Sequence, residues 1–241
     1  KKKSISFKNK DNFKNNLIKN LEFELTNSQL TVLKEIQGDL FSNKQMIRLL
    51  QGDVGSGKTI VALISMLSVI ESGYQVTLMA PTSILAYQHY ENIAKLINKL
   101  PIEIDILTGK DKGKKRLEKL EKIKNGDTKI IIGTHALIQE GVNFNKLGLS
   151  VIDEQHRFGV YQRMAFNYKG FRPSILVMSA TPIPRTLTLA AYGDMDESRL
   201  TEKPIGRKPI KTSVLPLKKE KNLIERIKNK INKSNNKFFW V

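Results

Sequence analysis

The sequence predicts an α/β fold in which a mostly parallel sheet carries helices on both faces. Apolar, strand-like segments alternate with helical segments from about residue 46 to residue 191. A glycine-rich loop separates the first of these strands from the helix after it, and two later strands end in polar segments. Strands that alternate with helices favour parallel pairing, because each crossover returns the chain to the same edge of the sheet.

The elements of this fold can be placed in chain order. Thr26-Asn27-Ser28 is typical of a helix cap and precedes a first helix over Gln29–Gln37. Gly73, Pro101 and Gly126 interrupt the apolar pattern between later elements. The predicted strands cover residues 46–51, 75–80, 102–107, 129–133, 148–152 and 174–179, and the predicted helices cover 58–71, 83–99, 114–124, 134–139, 160–168, 184–191 and 218–233.

The glycine-rich loop matches the P-loop pattern G-x-x-x-x-G-K-[ST] and lies between a strand and a helix, as that motif requires. Gly55 and Gly57 let the backbone N–H groups converge on phosphate oxygens, and the following helix N-terminus adds partial positive charge. Lys58 can reach the β- and γ-phosphates, and the Thr59 hydroxyl can ligate Mg²⁺. The predicted nucleotide contacts are Gly52, Asp53, Val54, Gly55, Ser56, Gly57, Lys58 and Thr59.

A second candidate motif follows the predicted strand 148–152. Asp153 and Glu154 come directly after that strand. In P-loop enzymes one acidic residue near the phosphates holds Mg²⁺ and another residue positions the attacking water. We therefore predict that Asp153 is a Mg²⁺ ligand and that Glu154, with Lys58 and Asp153, is catalytic.

A third polar segment, Ser179-Ala180-Thr181-Pro182, ends the predicted strand 174–179. Open parallel sheets bind ligands at the carboxyl ends of their strands. Three strand ends with glycines, carboxylates or hydroxyls therefore indicate one common site.

Charge and composition restrict the partners and the compartment. The net charge is +18 and the sequence pI is about 9.9, which favours a polyanionic partner. The excess of lysine over arginine is equally typical of an AT-rich genome. No cysteine is present, which fits a reducing cytoplasm. The longest apolar stretch, Ile60–Ile70, is too short to cross a membrane, and we expect no membrane association.

With these segments in order, the chain resembles the first RecA-like lobe of a superfamily 2 helicase of the DExH type. The Asp153–His156 segment runs on into Arg157-Phe158-Gly159-Val160, and Ser179–Pro182 runs on into Ile183-Pro184-Arg185-Thr186, a combination specific to a small group. The resemblance also rests on Thr26, Gln29, Ala80-Pro81-Thr82, Gln88-His89, Thr108-Gly109 and Gly133–Leu137, and it spans roughly Leu25 to Leu215.

Within that group, two families are the candidates. Ser56, Gln155 and the segment Ala190–Asp194 resemble the RecG family of bacterial branch-migrating DNA helicases. The transcription-repair coupling DNA translocases are the alternative.

The resemblance implies a function and a set of site residues. It implies ATP and Mg²⁺ as cofactors and branched duplex DNA, contacted through its phosphates, as the partner. ATP hydrolysis would drive translocation that remodels stalled forks and Holliday junctions in recombination and repair. By the same resemblance, Gln29 would contact the nucleotide, Thr82, Thr108, Gly109 and Thr134 would contact DNA, and Ser179, Thr181 and His156 would couple the two sites.

The chain is predicted to have three parts. Residues 1–24 are polar and lysine-rich and form a basic linker or the tail of a preceding segment. The resemblance predicts a RecA-like ATP-binding domain over 25–217 and the start of a truncated second lobe over 218–241. The wedge domain and the rest of the second lobe, with its arginine finger, would belong to a longer parent protein. We expect a monomer that hydrolyses ATP very slowly by itself. The alternative is a nucleotide-binding module without useful turnover.

Overall fold

Among the residues that the structure describes, seven strands form one sheet, and every strand pairing in it is parallel. The computed structural model describes residues 4–8, 10–153, 166, 169, 172–181, 195–202, 212–233 and 238. The chain divides into two compact units, Lys1–Ile205 and Gly206–Val241, and the sheet belongs to the first. The predicted α/β class with a parallel sheet is therefore confirmed.

The strands and helices alternate along the first unit. The strands are β1 (Ile47–Gly52), β2 (Gln75–Met79), β3 (Ile104–Leu107), β4 (Ile130–Gly133), β5 (Leu147–Ile152), β6 (Ser174–Ser179) and β7 (Asp196–Leu200). The helices are α1 (Asn12–Lys19), α2 (Asn27–Leu40), α3 (Lys58–Ile70), α4 (Ser83–Leu96) and α5 (Gly113–Asn125), with a 3-10 turn at His135–Ile138. The second unit holds a 3-10 turn at Leu217–Lys219 and helix α6 at Glu220–Lys233.

The order of strands across the sheet is β3-β4-β2-β5-β6-β1-β7. Strands β2, β4, β5 and β6 are buried along their whole length, as expected of a parallel sheet covered on both faces. On one face, strand side chains such as Val76 and Leu78 pack with residues of α1 to α4; on the other, Ile131 and Ile152 pack with Ile123, Leu137 and Phe166.

Strand β7 was not predicted, because its sequence Asp-Glu-Ser-Arg-Leu carries no apolar run. It pairs with β1 along its whole length, and the buried side chain of Arg48 in β1 adds contacts to it. Arg48 donates hydrogen bonds to Asp39 of α2 and to Ser198 of β7, each at 2.8 Å. Because a buried charge that loses its partner costs about 3–5 kcal/mol, this network fixes α2 and β7 to the end of the sheet.

Residues 4–24, within the segment interpreted as a basic linker, contribute to the core of the first unit. Phe7 and Leu17 are buried, and the ring of Phe7 meets that of Tyr74 edge-on at a centroid distance of 5.2 Å. Helix α1 packs against α3. The sequence did not indicate this packing, because the two apolar side chains stand among lysines and asparagines. The division into domains at residues 24 and 217 stays a prediction.

Most element boundaries lie within a few residues of those predicted. Helix α4 ends at Leu96 rather than at residue 99, and β3 begins at Ile104 rather than at residue 102. The predicted helix over 184–191 and most of the one over 160–168 fall outside the described residues, as do three of the last four residues. In the part of the chain that is described, no helix has the length and apolar character needed to cross a membrane.

Candidate functional site

The motif segments come together at the carboxyl edge of the sheet. Register pairing places Leu107, Gly133 and Met79 level with one another in β3, β4 and β2. Across the sheet, the segments that leave this edge begin at Thr108, Thr134, Ala80, Asp153, Ala180 and Asp53, in that spatial order. The candidate DNA contacts therefore occupy one half of the edge and the candidate nucleotide contacts the other. Asp153 stands where the two halves meet.

The P-loop has the backbone conformation that the motif predicts. Gly55 and Gly57 have φ values of +77° and +88°, which favour glycine because a Cβ is strained there. The Lys58 ammonium group donates to the carbonyl oxygens of Gly52 at 2.6 Å and Asp53 at 3.0 Å. Lys58 is also the first residue of α3, so its charge lies beside the helix N-terminus.

Gln29 supports this loop from α2. Its side chain completes a capping box with Thr26, in which Oε1 accepts from the Thr26 N–H at 2.9 Å. Its Nε2 donates to the Ser56 carbonyl oxygen at 2.8 Å. A Cβ at position 57 would collide with that amide, so Gly57 is required by Gln29 as well as by its own φ angle.

These residues fit a phosphate group. The Ser56 hydroxyl is buried and has no hydrogen-bond partner among the described residues. A buried polar group usually has a partner, so this hydroxyl is available to a bound phosphate. Asp53, Val54 and Gly55 are exposed, which leaves the outer side of the loop accessible. The loop opens onto the N-terminus of a 13-residue helix, a setting that favours anions.

Asp153 is fixed both by its backbone and by its side chain. Its N–H donates to the Met79 carbonyl oxygen at 2.9 Å, which extends the pairing of β5 with β2 by one residue. Its Oδ2 lies 2.7 Å from Nε2 of His89 on α4. A Mg²⁺ ion takes carboxylate oxygen ligands, so Asp153 has the right chemistry for the metal-binding role predicted for it. Glu154 and His156 lie outside the described residues.

The segment after β6 is bonded to the P-loop strand. The Ser179 hydroxyl lies 3.2 Å from the Thr181 hydroxyl, and Gln51 of β1 donates from Nε2 to the Thr181 carbonyl oxygen at 3.0 Å. Gln51 immediately precedes the P-loop and was not singled out from the sequence. Its contact with Thr181 gives the predicted coupling segment a direct connection to the nucleotide half of the edge.

On the other half, the candidate threonines are largely engaged within the protein. The Thr82 hydroxyl accepts from the Leu85 N–H and caps α4. Thr108 is fully buried, and both its N–H and its hydroxyl bond to the Asp111 carboxylate. Thr134 is also buried, whereas Gly109 is exposed. Around Gly109 the exposed groups are the backbone and the side chains of Lys110 and Lys112. Contact of the three threonines and Gly109 with DNA stays a prediction.

Asp111 and Lys119 hold the loop that contains Gly109. Burial alone would raise the pKa of Asp111, but hydrogen bonds from Thr108 and Lys119 outweigh burial and lower that pKa. Burial likewise opposes the charge of Lys119, while its bonds to Asp111 at 2.9 Å and to Asp105 raise the pKa of the lysine. Both groups are thus stabilised in their charged forms.

Gly133 sets the spacing between the loops after β3 and β4. A Cβ at this position would run into the Leu107 carbonyl oxygen of the neighbouring strand. Thr108 and Thr134 follow these two residues, so the absence of a side chain at position 133 allows their loops to emerge side by side.

Comparisons with known proteins agree with this arrangement. The family model described as DEAD/DEAH box helicase matches residues 26–189. The chain is 47% identical over 232 residues to the ATP-dependent DNA helicase RecG of Haemophilus influenzae, covering 95% of this chain and 34% of that protein. It is 52% identical over 195 residues to RecG of Bacillus subtilis, covering 81% of this chain and 29% of that protein. The chain thus spans about a third of the curated relatives that it matches.

Solved structures share the fold. The structure of RecG bound to a three-way DNA junction matches with a TM-score of 0.85 at 40% identity, covering 96% of this chain and 31% of that one. A DEAD box protein from Methanococcus jannaschii matches in fold with a TM-score of 0.60 at 23% identity, covering 77% of this chain and 53% of that one. The predicted RecA-like helicase fold is confirmed by these similarities.

Proposed function

The chain belongs to the DEAD/DEAH box helicase family, and we propose that it is the ATP-binding motor lobe of a RecG-type DNA helicase. The observation that carries the proposal is the order β5-β6-β1 in the sheet. It sets Asp153, the Ser179–Thr181 segment and the P-loop on three neighbouring strand ends. Phosphate cradle, metal-binding carboxylate and coupling segment are therefore adjacent.

We assign each of these residues a role toward Mg·ATP. The P-loop backbone from Gly52 to Gly57 surrounds the phosphates, and Lys58 neutralises charge on the β- and γ-phosphates. Thr59 and Asp153 would hold Mg²⁺, which would neutralise phosphate charge when bound. Glu154 positions the attacking water. Gln29, in the first turn of α2, contacts the nucleotide and holds the P-loop in place through its hydrogen bond to Ser56.

DNA is the proposed polyanionic partner, engaged through its phosphates at the other half of the edge. Gly109 is exposed there, and Lys110, Lys112, Lys114 and Lys115 follow it on an exposed loop and on the first turn of α5. Lysine and backbone N–H groups contact phosphate without reading base sequence. The similarity to RecG bound to a three-way DNA junction supports branched duplex DNA as the substrate class, and a cytoplasmic location fits a protein that needs both ATP and DNA.

We further propose that this chain is half of a motor. Cationic stabilisation of the transferring γ-phosphoryl group by an arginine finger is worth roughly 10³–10⁵ in rate. By family resemblance that arginine lies in a second lobe, and the matched relatives are about three times as long as this chain. The remaining wedge and second helicase domains would then complete both the ATPase site and the DNA grip.

A steady-state ATPase assay tests the proposal, with this chain beside the same chain extended through a second lobe. We expect slow hydrolysis by the first protein with or without a synthetic three-way junction, and strong stimulation of the second by the junction. Comparable junction-stimulated rates from both would contradict the half-motor proposal. If neither protein binds Mg·ATP, the assignment of the nucleotide site itself is contradicted.

A further inference from the structure

A buried histidine contacts the carboxylate to which we assign Mg²⁺. His89 Nε2 lies 2.7 Å from Asp153 Oδ2, and the two residues are only 9% and 8% exposed. His89 lies on the inward face of α4, together with the buried Ala86 and Ile93. The two residues are 64 positions apart in sequence, so the contact exists only in the folded chain.

The direction of this hydrogen bond follows from the groups involved. A carboxylate accepts hydrogen bonds and does not donate them, so Nε2 of His89 carries the hydrogen. The bond therefore occupies one lone-pair direction of Oδ2 and sets the rotation of the carboxylate plane. Because the Asp153 N–H is also bonded to Met79, both ends of the aspartate are held.

We propose that His89 is the positioning residue that orients Asp153 for Mg²⁺ and joins it to helix α4. The inference rests on the proposed function, since it assumes that Asp153 is a metal ligand. Carboxylates that ligate metals depend on outer hydrogen-bond donors for their orientation, and loss of such a donor typically costs 10–100-fold in metal affinity.

The position of α4 means that the contact also links the DNA half of the edge to Asp153. The helix begins at its cap Thr82, in the half of the edge assigned to DNA, and reaches Asp153 about two turns later through His89. A displacement of α4 would therefore move His89 and change the orientation of the Asp153 carboxylate. This hydrogen bond joins α4 to the carboxylate side chain of Asp153, whereas the bond from the Asp153 N–H to Met79 joins β2 only to its backbone.

A merely structural histidine would have a different signature. Filling space under α4 and satisfying a buried carboxylate would both stabilise the fold without affecting how tightly Mg²⁺ is held. The test must therefore separate thermal stability from the Mg²⁺ dependence of nucleotide binding.

The experiment compares three variants of this chain. His89→Leu removes the donor, His89→Gln keeps an N–H donor at similar reach, and Ile93→Ala weakens the packing of the same helix away from Asp153. Binding of a fluorescent ATP analogue is titrated with Mg²⁺ and repeated in EDTA, and the melting temperature of each variant is measured alongside.

We expect His89→Leu to need 10–100-fold more Mg²⁺ for half-maximal binding. His89→Gln should restore most of that loss, and Ile93→Ala should lower only the melting temperature.

The outcomes are distinguishable. If the parent chain binds the analogue with a clear Mg²⁺ requirement and His89→Leu keeps the same requirement, the positioning role is overturned and the proposed function stands. An equal shift in Ile93→Ala would also overturn it, since helix packing alone would then explain the effect. A parent chain that binds no analogue at any Mg²⁺ concentration would overturn this inference together with the nucleotide site. If His89→Leu does not fold, His89→Phe takes its place, because it keeps a ring of similar size but has no donor; a raised Mg²⁺ requirement supports the role and an unchanged one overturns it.

Discussion

Gln29 and Ser56 are joined by a hydrogen bond of 2.8 Å from the glutamine Nε2 to the serine carbonyl oxygen. The same glutamine caps α2 through its Oε1. One side chain therefore ties the start of a helix to the middle of the P-loop. The two halves of its amide can be tested separately, because one accepts and the other donates.

Gln29→Glu should weaken nucleotide binding while keeping the helix cap. The glutamate still accepts from the Thr26 N–H, but it loses the donor to Ser56 and sets a carboxylate against a carbonyl oxygen. We expect the free energy of unfolding to fall by about 1–3 kcal/mol and ATP affinity to fall roughly tenfold, measured by denaturant titration and calorimetry. Gln37→Glu makes the same charge change further along α2 and should leave affinity unchanged. An unaltered affinity for Gln29→Glu would remove the glutamine from the site.

Lys58→Ala should abolish ATP binding or weaken it severely, because the loop loses the cation that faces the β- and γ-phosphates. Calorimetry with Mg·ATP measures the loss. Lys34→Ala, which removes an exposed lysine from α2, serves as the control and should bind as the parent does. Equal affinity for both variants would show that the P-loop assignment is wrong.

Asp153→Asn and Glu154→Gln should fail in different ways. Asparagine at 153 removes a charged metal ligand, so nucleotide binding should lose its dependence on Mg²⁺. Glutamine at 154 keeps the shape of the side chain while removing the carboxylate that orients water, so binding should persist and hydrolysis should stop. Binding is measured on this chain, and turnover is measured on a chain extended through the second lobe. Normal turnover by Glu154→Gln would refute its assigned role.

DNA binding should be weak, insensitive to base sequence and steeply dependent on salt. For B-form DNA the logarithm of the binding constant falls with the logarithm of salt concentration, with a slope of about −0.9 per neutralised phosphate. Replacing Lys114 and Lys115 of α5 with alanine should reduce that slope by up to about 2. The matched control replaces Lys44 and Lys146, which precede β1 and β5 at the opposite edge of the sheet. Equal effects of the two pairs would indicate binding by net charge alone.

Asp111→Asn should destabilise the chain in a pH-dependent manner. The folded-state pKa of Asp111 lies below the ordinary aspartate value of 3.8, so its contribution is present above that value and is lost as the pH falls through the folded pKa. The variant should therefore be less stable than the parent near neutral pH, and the difference should shrink below pH 3.8. Urea midpoints across this range give the measurement. A difference that stays constant with pH would mean that the charge of Asp111 contributes nothing.

The sequence predicted the fold class and the strand ends because both depend on local pattern. Alternating apolar and helical segments indicated the parallel sheet. The Gly52–Thr59 motif by itself specifies a glycine loop between a strand and a helix. Contacts between distant residues were not predictable in this way. Gln51 meets Thr181 across 130 positions, and His89 meets Asp153 across 64. The burial of Thr108, whose hydroxyl is bonded to Asp111, was likewise not visible in the sequence.

The missing side chain at Gly133 has a further consequence for how this protein could be altered. Neighbouring strands lie about 4.7–4.9 Å apart, and at this point a single methyl group would push β4 against the Leu107 carbonyl oxygen. The spacing of these two strands therefore leaves no room for one extra carbon atom at position 133. A mutational scan would score it as intolerant beside the threonines, although it offers no functional group to any ligand. For an engineer it is a position to leave unchanged, because even alanine would disturb the two strands from which the loops emerge.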